Sequence, residues 1–133
     1  MTKEDAMKAQ YGFGIALLAG VALGAGAVSA LHAQATPPAY YIALIDPIDQ
    51  DAYMKEYASK ATPLVTQHGG KFISRGAQIV ELIGPAPKRV AIAEFASMDA
   101  LKAWWNSSEM KALAPVRAKY GRVHSFAVAG ESK

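Results

Sequence analysis

The chain has 133 residues, 52% of them hydrophobic and 19% charged, with a formal net charge of +3 and no cysteine. That length suits one domain, and the low charged fraction excludes extensive disorder. Without cysteine there is no disulfide framework, thiolate zinc site, iron–sulfur cluster or cysteine nucleophile. The positive excess is small and spread along the chain, so no basic stripe points to nucleic acid as a partner.

The hydrophobic surplus is concentrated at the N-terminus. From Gly12 to Leu31 runs GFGIALLAGVALGAGAVSAL, 20 residues without a charge. Before it, Lys3, Lys8 and the α-amino group outweigh Glu4 and Asp5; after it, Ala33-Gln34-Ala35 has the small-x-small form that signal peptidase accepts. A basic start, an apolar middle and an Ala-x-Ala site describe a secretory signal peptide over residues 1–35. The alternative is an N-terminal membrane anchor. Twenty residues rise about 30 Å as a helix, enough to span a bilayer core, and Gly20-x-x-x-Gly24 has the form of a helix-pairing motif. The abundance of Gly and Ala, which contribute little transfer energy, favours cleavage after Ala35. Either way the remaining 133 − 35 = 98 residues are expected in the periplasm. Membrane contact is then confined to residues 12–31, and only if the leader is retained.

Thr36-Pro37-Pro38 reads as an extended linker, since proline fixes φ and restricts the residue before it. Residues 39–46, AYYIALID, form a short, aromatic-rich apolar run stopped by Pro47, the pattern of a strand buried on both faces. Asp49-Gln50-Asp51 offers helix-capping chemistry. Beyond it Tyr53, Tyr57, Ala61 and Leu64 recur at helical spacing, with Lys55, Glu56, Ser59 and Lys60 on the opposite face. Pro63 is expected to kink the last turns, His68 to cap them, and Gly69-Gly70 to end them. Lys71–Arg75 and Gln78–Ile83 are two short strands predicted to form a hairpin around Gly76. Gly84-Pro85-Ala86-Pro87 is a loop and Arg89–Phe95 a further buried strand. Ser97 caps a helix with Met98, Leu101, Trp104 and Trp105 inward. Asn106-Ser107-Ser108 interrupts it, and a second stretch from Glu109 to Tyr120 is expected to be broken at Pro115. Gly121 ends it, and Val123–Ala129 is the last strand.

The order is β-α-β-β-α-β, the ferredoxin-like arrangement of an α+β protein: an antiparallel sheet with helices on one face. The uncovered face is apolar as well, and a second copy of the chain is the economical cover. A homodimer is therefore expected, the more so because a domain this small buries only about two-thirds of its surface alone.

The residues also resemble a known family. Tyr-rich strand 39–46 ending at Asp46-Pro47, the helix entry Asp51-Ala52-Tyr53 and Gly69-Gly70-Lys71-Phe72 before Arg75-Gly76 carry the first half. Pro87-Lys88-Arg89-Val90 before Glu94-Phe95, then Ala103-Trp104-Trp105-Asn106-Ser107 and Ser125-Phe126-Ala127-Val128, carry the second. Together, over residues 39–130 with 131–133 as a tail, they are similar to the bacterial domain-of-unknown-function 1330 family of the dimeric α+β barrel superfamily. The resemblance implies the fold and a dimer but no reaction. In place of the family's frequent Tyr-Asn-Ser-Pro-Glu-Tyr, this chain has Trp105, Asn106, Ser107, Ser108, Glu109 and Met110. Some members of the superfamily degrade haem with Asn, Trp and His; Asn106 adjacent to Trp105, with His124 elsewhere, does not reproduce that set.

Two residues are candidates for catalysis. Glu94 alternates with Val90 and Ile92 in RVAIAEF, where an unpaired carboxylate is costly to bury; with Arg75, Arg89, Arg122 or His124 as partner it could take a proton from a substrate. The bland reading is a salt bridge at the strand end. His124 alternates with Phe126 and Val128 and could act in acid–base chemistry, though a lone histidine also serves as a hydrogen-bonded wall residue. Arg75, Tyr53, Trp105 and Asn106 are candidate ligand-binding residues. No metal is expected, because no second histidine or carboxylate stands at a ligand spacing, and no cofactor motif is present. Two readings follow: a dimer that binds a small, partly apolar molecule with cofactor-independent acid–base chemistry, or a non-catalytic interaction module tethered by its leader.

Overall fold

The computed structural model describes residues 36–132; the leader expected over residues 1–35 lies outside them. Four strands, β1 (Ala39–Pro47), β2 (Lys71–Gly76), β3 (Arg89–Phe95) and β4 (Gly121–Ala129), form one antiparallel sheet in the order β2-β3-β1-β4. Between β1 and β2 runs helix α1, residues 50–67; between β3 and β4 lie α2 (Met98–Trp105) and α3 (Ser108–Tyr120). This is the ferredoxin-like α+β topology expected from the order of elements.

Strand alternation divides the sheet into two unlike faces. Ala39, Tyr41, Ala43 and Ile45 of β1, with Ala93 and Phe95 of β3, point toward the helices. They join Tyr53, Tyr57, Ala61 and Val65 of α1, Leu101 and Trp104 of α2 and Met110 of α3 in one buried core. The intervening residues point away. Ile42 pairs with Ile92 and Phe126, and Leu44 with Val90 and His124. Among the described residues no helix covers this side, and Phe126 and Val128 each remain 46% exposed. The expectation that β1 is buried on both faces is thus met on its helix side only within one chain.

The caps follow the sequence. Asp49 accepts from the Ala52 N–H at 3.1 Å, Ser97 from Ala100 at 3.1 Å and Ser107 from Met110 at 3.3 Å, each satisfying a helix-end donor. His68 is the C-cap of α1 and Gly69 follows with φ +82°. The prolines depart from expectation. Pro115 sits inside an unbroken α3; it is exposed, as is Lys111 four residues earlier, so water can take the freed carbonyl. Pro63 also lies within α geometry, and the irregularity of α1 falls a turn earlier. Tyr53–Ala58 is π-helical, flanked by α-helical Gln50–Ala52 and Ser59–Gln67. It ends just before Ser59, whose carbonyl an N–H at position 63 would have used.

The predicted hairpin around Gly76 does not form. Residues 77–88 are a loop, and β2 pairs with β3 instead. Gln78–Ile83 has alternating apolar residues, but Val80, Leu82 and Ile83 are 82%, 90% and 100% exposed. β3 is apolar on both faces and continues the sheet into β1, so it takes the place beside β2. The loop is held by Glu81, which accepts from the Ala86 N–H at 3.2 Å, and by Asp46, which accepts from the Lys88 N–H at 2.9 Å.

Candidate functional site

The helix-covered side of the sheet leaves a cavity of about 340 Å3, within the usual range for small-molecule sites, roughly 300–1,000 Å3. Tyr41, Ala43 and Ile45 of β1 and Ala91 of β3 form its sheet wall; Tyr53, Tyr57, Ala61 and Val65 of α1 form the opposite wall. Phe72 of β2, Trp104 of α2 and Met110 of α3 also contribute, and among the described residues Arg75 and Arg89 are the charged ones in the lining.

Local structure explains why Tyr53 and Tyr57 stand there. The N–H groups of Ile48 and Asp49 both donate to the Tyr120 carbonyl, at 2.9 and 3.4 Å, which holds the start of α1 against the end of α3. Tyr53 is thereby laid over Gly121, so closely that a Cβ at 121 would lie 2.7 Å from its ring. The next aromatic residue is Tyr57, with ring centroids 5.2 Å apart, and both belong to the π-helical stretch. Such stretches are frequent at functional sites. Trp104 packs against Tyr41 and Phe95 at 4.9 and 5.1 Å, and its indole N–H is buried without a partner among the described residues.

The phenols are held in their neutral form. Burial pushes Tyr41 up to about 12, aided by Tyr57 and opposed by a hydrogen bond to Ser125 and the charge of Arg117. Burial also raises Tyr53, reinforced by Tyr57 and Tyr41, while Arg117 and Arg89 pull it back. At neutral pH these groups donate hydrogen bonds rather than accept protons. Arg117 of α3 is tied to the wall from behind: it donates to the Tyr57 hydroxyl at 3.3 Å, and its guanidinium lies 4.7 Å over Trp105.

Of the candidate residues, the structure brings Arg75 and Tyr53 together at this cavity. Trp105 and Asn106 line a separate groove of about 140 Å3 with Met110, Lys111, Ala114 and Arg117. Glu94 and His124 are on the other face of the sheet. Glu94 lies 3.8 Å from Lys71 Nζ with its side chain 31% exposed, which is the strand-end salt bridge of the bland reading, and its charge helps raise Tyr40 behind the larger effect of desolvation. His124 is exposed and packs edge-on to Phe126 at 6.2 Å, beside Leu44, Asp46, Pro85, Ala86 and Pro87. Neither reaches Arg75, because strand parity keeps residues 94 and 124 on the side away from the helices.

The sequence points to Arg89 as a site residue only as a possible partner of Glu94, and to Arg117 in no such role. Both left a trace. Arg89 has the parity of Ala91 and Ala93 in a strand where that face is core, and Arg117 interrupts the stripe of Leu113, Val116 and Tyr120. Among the described residues, no three His, Asp or Glu side chains cluster as a metal site requires.

Solved structures share the fold. A protein of unknown function from Rhodopseudomonas palustris aligns with a TM-score of 0.60 at 19% identity, over 73% of this chain and 85% of that one. SnoaB, a cofactor-independent oxygenase from Streptomyces nogalater, aligns with a TM-score of 0.54 at 9% identity, over 74% of this chain and 97% of that one. No curated protein matches the chain. Residues 38–131, which hold every strand and helix among the described residues and the whole cavity wall, match the model of a domain of unknown function, DUF1330, and the chain belongs to that family.

Proposed function

We propose that this chain is a small-molecule-binding domain that works as a homodimer, with the ligand held in the cavity between α1 and the sheet. The observation that carries this reading is the cavity itself: about 340 Å3, walled by aromatic and aliphatic side chains, with three tyrosines and two arginines in its lining. Such a combination suits a molecule that is largely apolar with a few polar atoms. Among the described residues the lining holds no carboxylate or imidazole, and burial keeps the phenols of Tyr41 and Tyr53 protonated at neutral pH. Acid–base chemistry by Glu94 or His124 therefore has no route to a ligand bound there, and binding with hydrogen-bond donation from Tyr53 is the role these groups support. Native mass spectrometry of the protein purified from its own host tests this. A co-purifying small molecule that is lost on substituting Ala61→Trp, which fills the cavity, is the expected result; a wild-type protein that is consistently ligand-free counts against it.

The homodimer is supported by the bare sheet face. Ile42, Leu44, Val90, Ile92, Phe126 and Val128 share one apolar sheet face that no helix among the described residues covers, unlike singly scattered surface hydrophobics, which need no explanation. Light scattering of the wild type and of Phe126→Asp separates the cases: a dimer that becomes a monomer agrees, and a wild-type monomer refutes it. Export is supported by the sequence of residues 1–35, the uncharged run followed by Ala33-Gln34-Ala35. Sequencing the N-terminus of the host protein tests it, Thr36 marking a cleaved leader and Met1 or Thr2 a retained anchor.

A further inference from the structure

We infer that the cavity takes an aromatic carboxylate, its ring among Tyr53, Tyr57, Phe72 and Trp104 and its carboxylate between Arg75 and Arg89. This rests on the reading of the cavity as a ligand site and adds the chemical class of the ligand. The first ground is the charge of the lining. Arg75 and Arg89 line the cavity, and no acidic side chain does. Among the described residues the ion pairs are Lys60–Glu56 and Lys71–Glu94; neither arginine has a carboxylate partner.

The second ground is their placement. Arg75 pairs with Ala91 across β2 and β3, so Arg89, two residues before Ala91 on the same face, is its diagonal neighbour at a backbone separation of about 7–8 Å. Two cationic side chains at neighbouring positions on one sheet face repel each other, and an anion bound between them removes the repulsion while accepting from both. Arginine suits this task because its planar fork matches a carboxylate in two-point geometry. Arg75 is held in position by stacking over the Phe72 ring, 4.5 Å from guanidinium to centroid. Phe72 is itself a lining residue, so the anion site and the apolar chamber share a wall.

The third ground is what fills the chamber. Five aromatic residues, Tyr41, Tyr53, Tyr57, Phe72 and Trp104, contribute to its lining among smaller aliphatic ones. Aromatic walls favour flat, polarisable ligands through offset and edge contacts. The neutral phenol of Tyr53 adds a donor within the field of Arg89, so an acceptor oxygen on the ligand is favoured at that end.

The test is titration calorimetry of the purified chain with 2-naphthoate and with its neutral counterpart 2-naphthylmethanol, repeated on Arg75→Gln, Arg89→Gln and the double variant. The carboxylate is expected to bind at least about tenfold more tightly than the alcohol, and the preference to shrink to within about threefold in the double variant while alcohol affinity is kept. Each single variant is expected to lose part of the preference, which keeps the test decisive if the double variant does not fold. Raising the salt should lower carboxylate affinity and leave the alcohol unaffected, because Arg75 is exposed and Arg89 half-buried, within reach of screening ions. If the alcohol binds as well as the carboxylate, or the preference survives in the arginine variants, the inference fails and the cavity remains a ligand site. If neither compound binds the folded wild type, the cavity reading falls with it.

Discussion

Gly121→Ala probes how tightly the cavity wall is built. The backbone at 121 is ordinary extended chain, φ −146° and ψ 148°, so alanine meets no conformational penalty there. It gains about 0.4–1 kcal/mol by restricting the unfolded chain. Against this stands a collision: the new Cβ would lie 2.7 Å from Tyr53 Cε2 and 2.8 Å from Cδ2, about 1 Å inside the carbon–carbon optimum. Tyr53 is 4% exposed and lies against Tyr57, so relief requires moving the ring into the cavity or lifting the first turns of α1. Overpacking of this kind costs about 1–3 kcal/mol, so the collision outweighs the entropic gain by about 1–2 kcal/mol. In a domain of this size that lowers Tm by roughly 4–16 °C. The assay is thermal and urea denaturation followed by circular dichroism, for Gly121→Ala alone and in a Tyr53→Ala background. With the ring removed, alanine at 121 should be neutral or slightly stabilising, giving a coupling of about 1–3 kcal/mol between the two sites. An equal cost in both backgrounds, or a wild-type stability in the single variant, would refute the placement of Tyr53 over Gly121.

Four further outcomes are expected. Because burial raises Tyr41 to about 12 from 10.0, its contribution of about 2–3 kcal/mol is complete below pH 10 and is lost as pH rises toward 12; alkaline unfolding should begin near pH 10, together with tyrosinate absorbance, and Tyr41→Phe should flatten that slope. Ser107→Ala removes the cap of α3, whose hydroxyl also donates to the Trp104 carbonyl at 2.7 Å, and should cost about 0.5–2 kcal/mol in urea denaturation. Leu82→Ser and Ile83→Ser should each change stability by less than about 0.5 kcal/mol in thermal melts, since both side chains stand in solvent; a larger loss would mean that residues 78–83 pack as a strand. Glu94→Gln breaks an ion pair with Lys71 that is largely solvated and should alter stability by less than about 0.5 kcal/mol, with 2-naphthoate affinity in calorimetry unchanged.

The strands β1, β3 and β4 and the caps at Asp49 and Ser97 were legible because each is written in a local signal, a short apolar run or a Ser or Asp just before helical spacing; Ser107, which caps α3, read only as part of an interruption. The loop over residues 77–88 was not. Its Gln78–Ile83 stretch carries the alternation of a strand, but alternation states only that a segment could bury one face, not that a face is available. The position beside β2 goes to Arg89–Phe95, which buries one face on the helices and borders β1 on its other edge. The prolines misled for a related reason. A missing N–H matters only if the carbonyl it abandons is buried, and at Lys111 that carbonyl is near solvent. For the site, aromatic residues on a helix are silent about whether they fill a core or wall a cavity; Tyr53 and Tyr57 are buried in either case, and only the volume left between them and Tyr41 distinguishes the two.

Arg75 reaches the cavity for a reason that simple alternation denies. Lys71 and Phe72 pair with Glu94 and Ala93, but the next pair is Ser74 with Ile92, so Ile73 is an extra residue in β2. In a regular strand, residues 72 and 75 point to opposite faces. With one residue taken up by the bulge, Phe72 and Arg75 fall on the same side, opposite Ala93 and Ala91, and the guanidinium can lie on the ring. Bulges are over-represented beside active sites because they re-aim a side chain without ending the sheet. Here the same irregularity separates the charges of the two faces. Lys71, before the bulge, stays with Glu94 on the bare face, whereas Arg75, after it, turns to the helix side and meets Arg89. Were Ile73 paired in register rather than bulged out, Arg75 would stand opposite Val90 and point to the bare face of the sheet. With Ile73 bulged out, the cavity lining among the described residues has two cations and no anion.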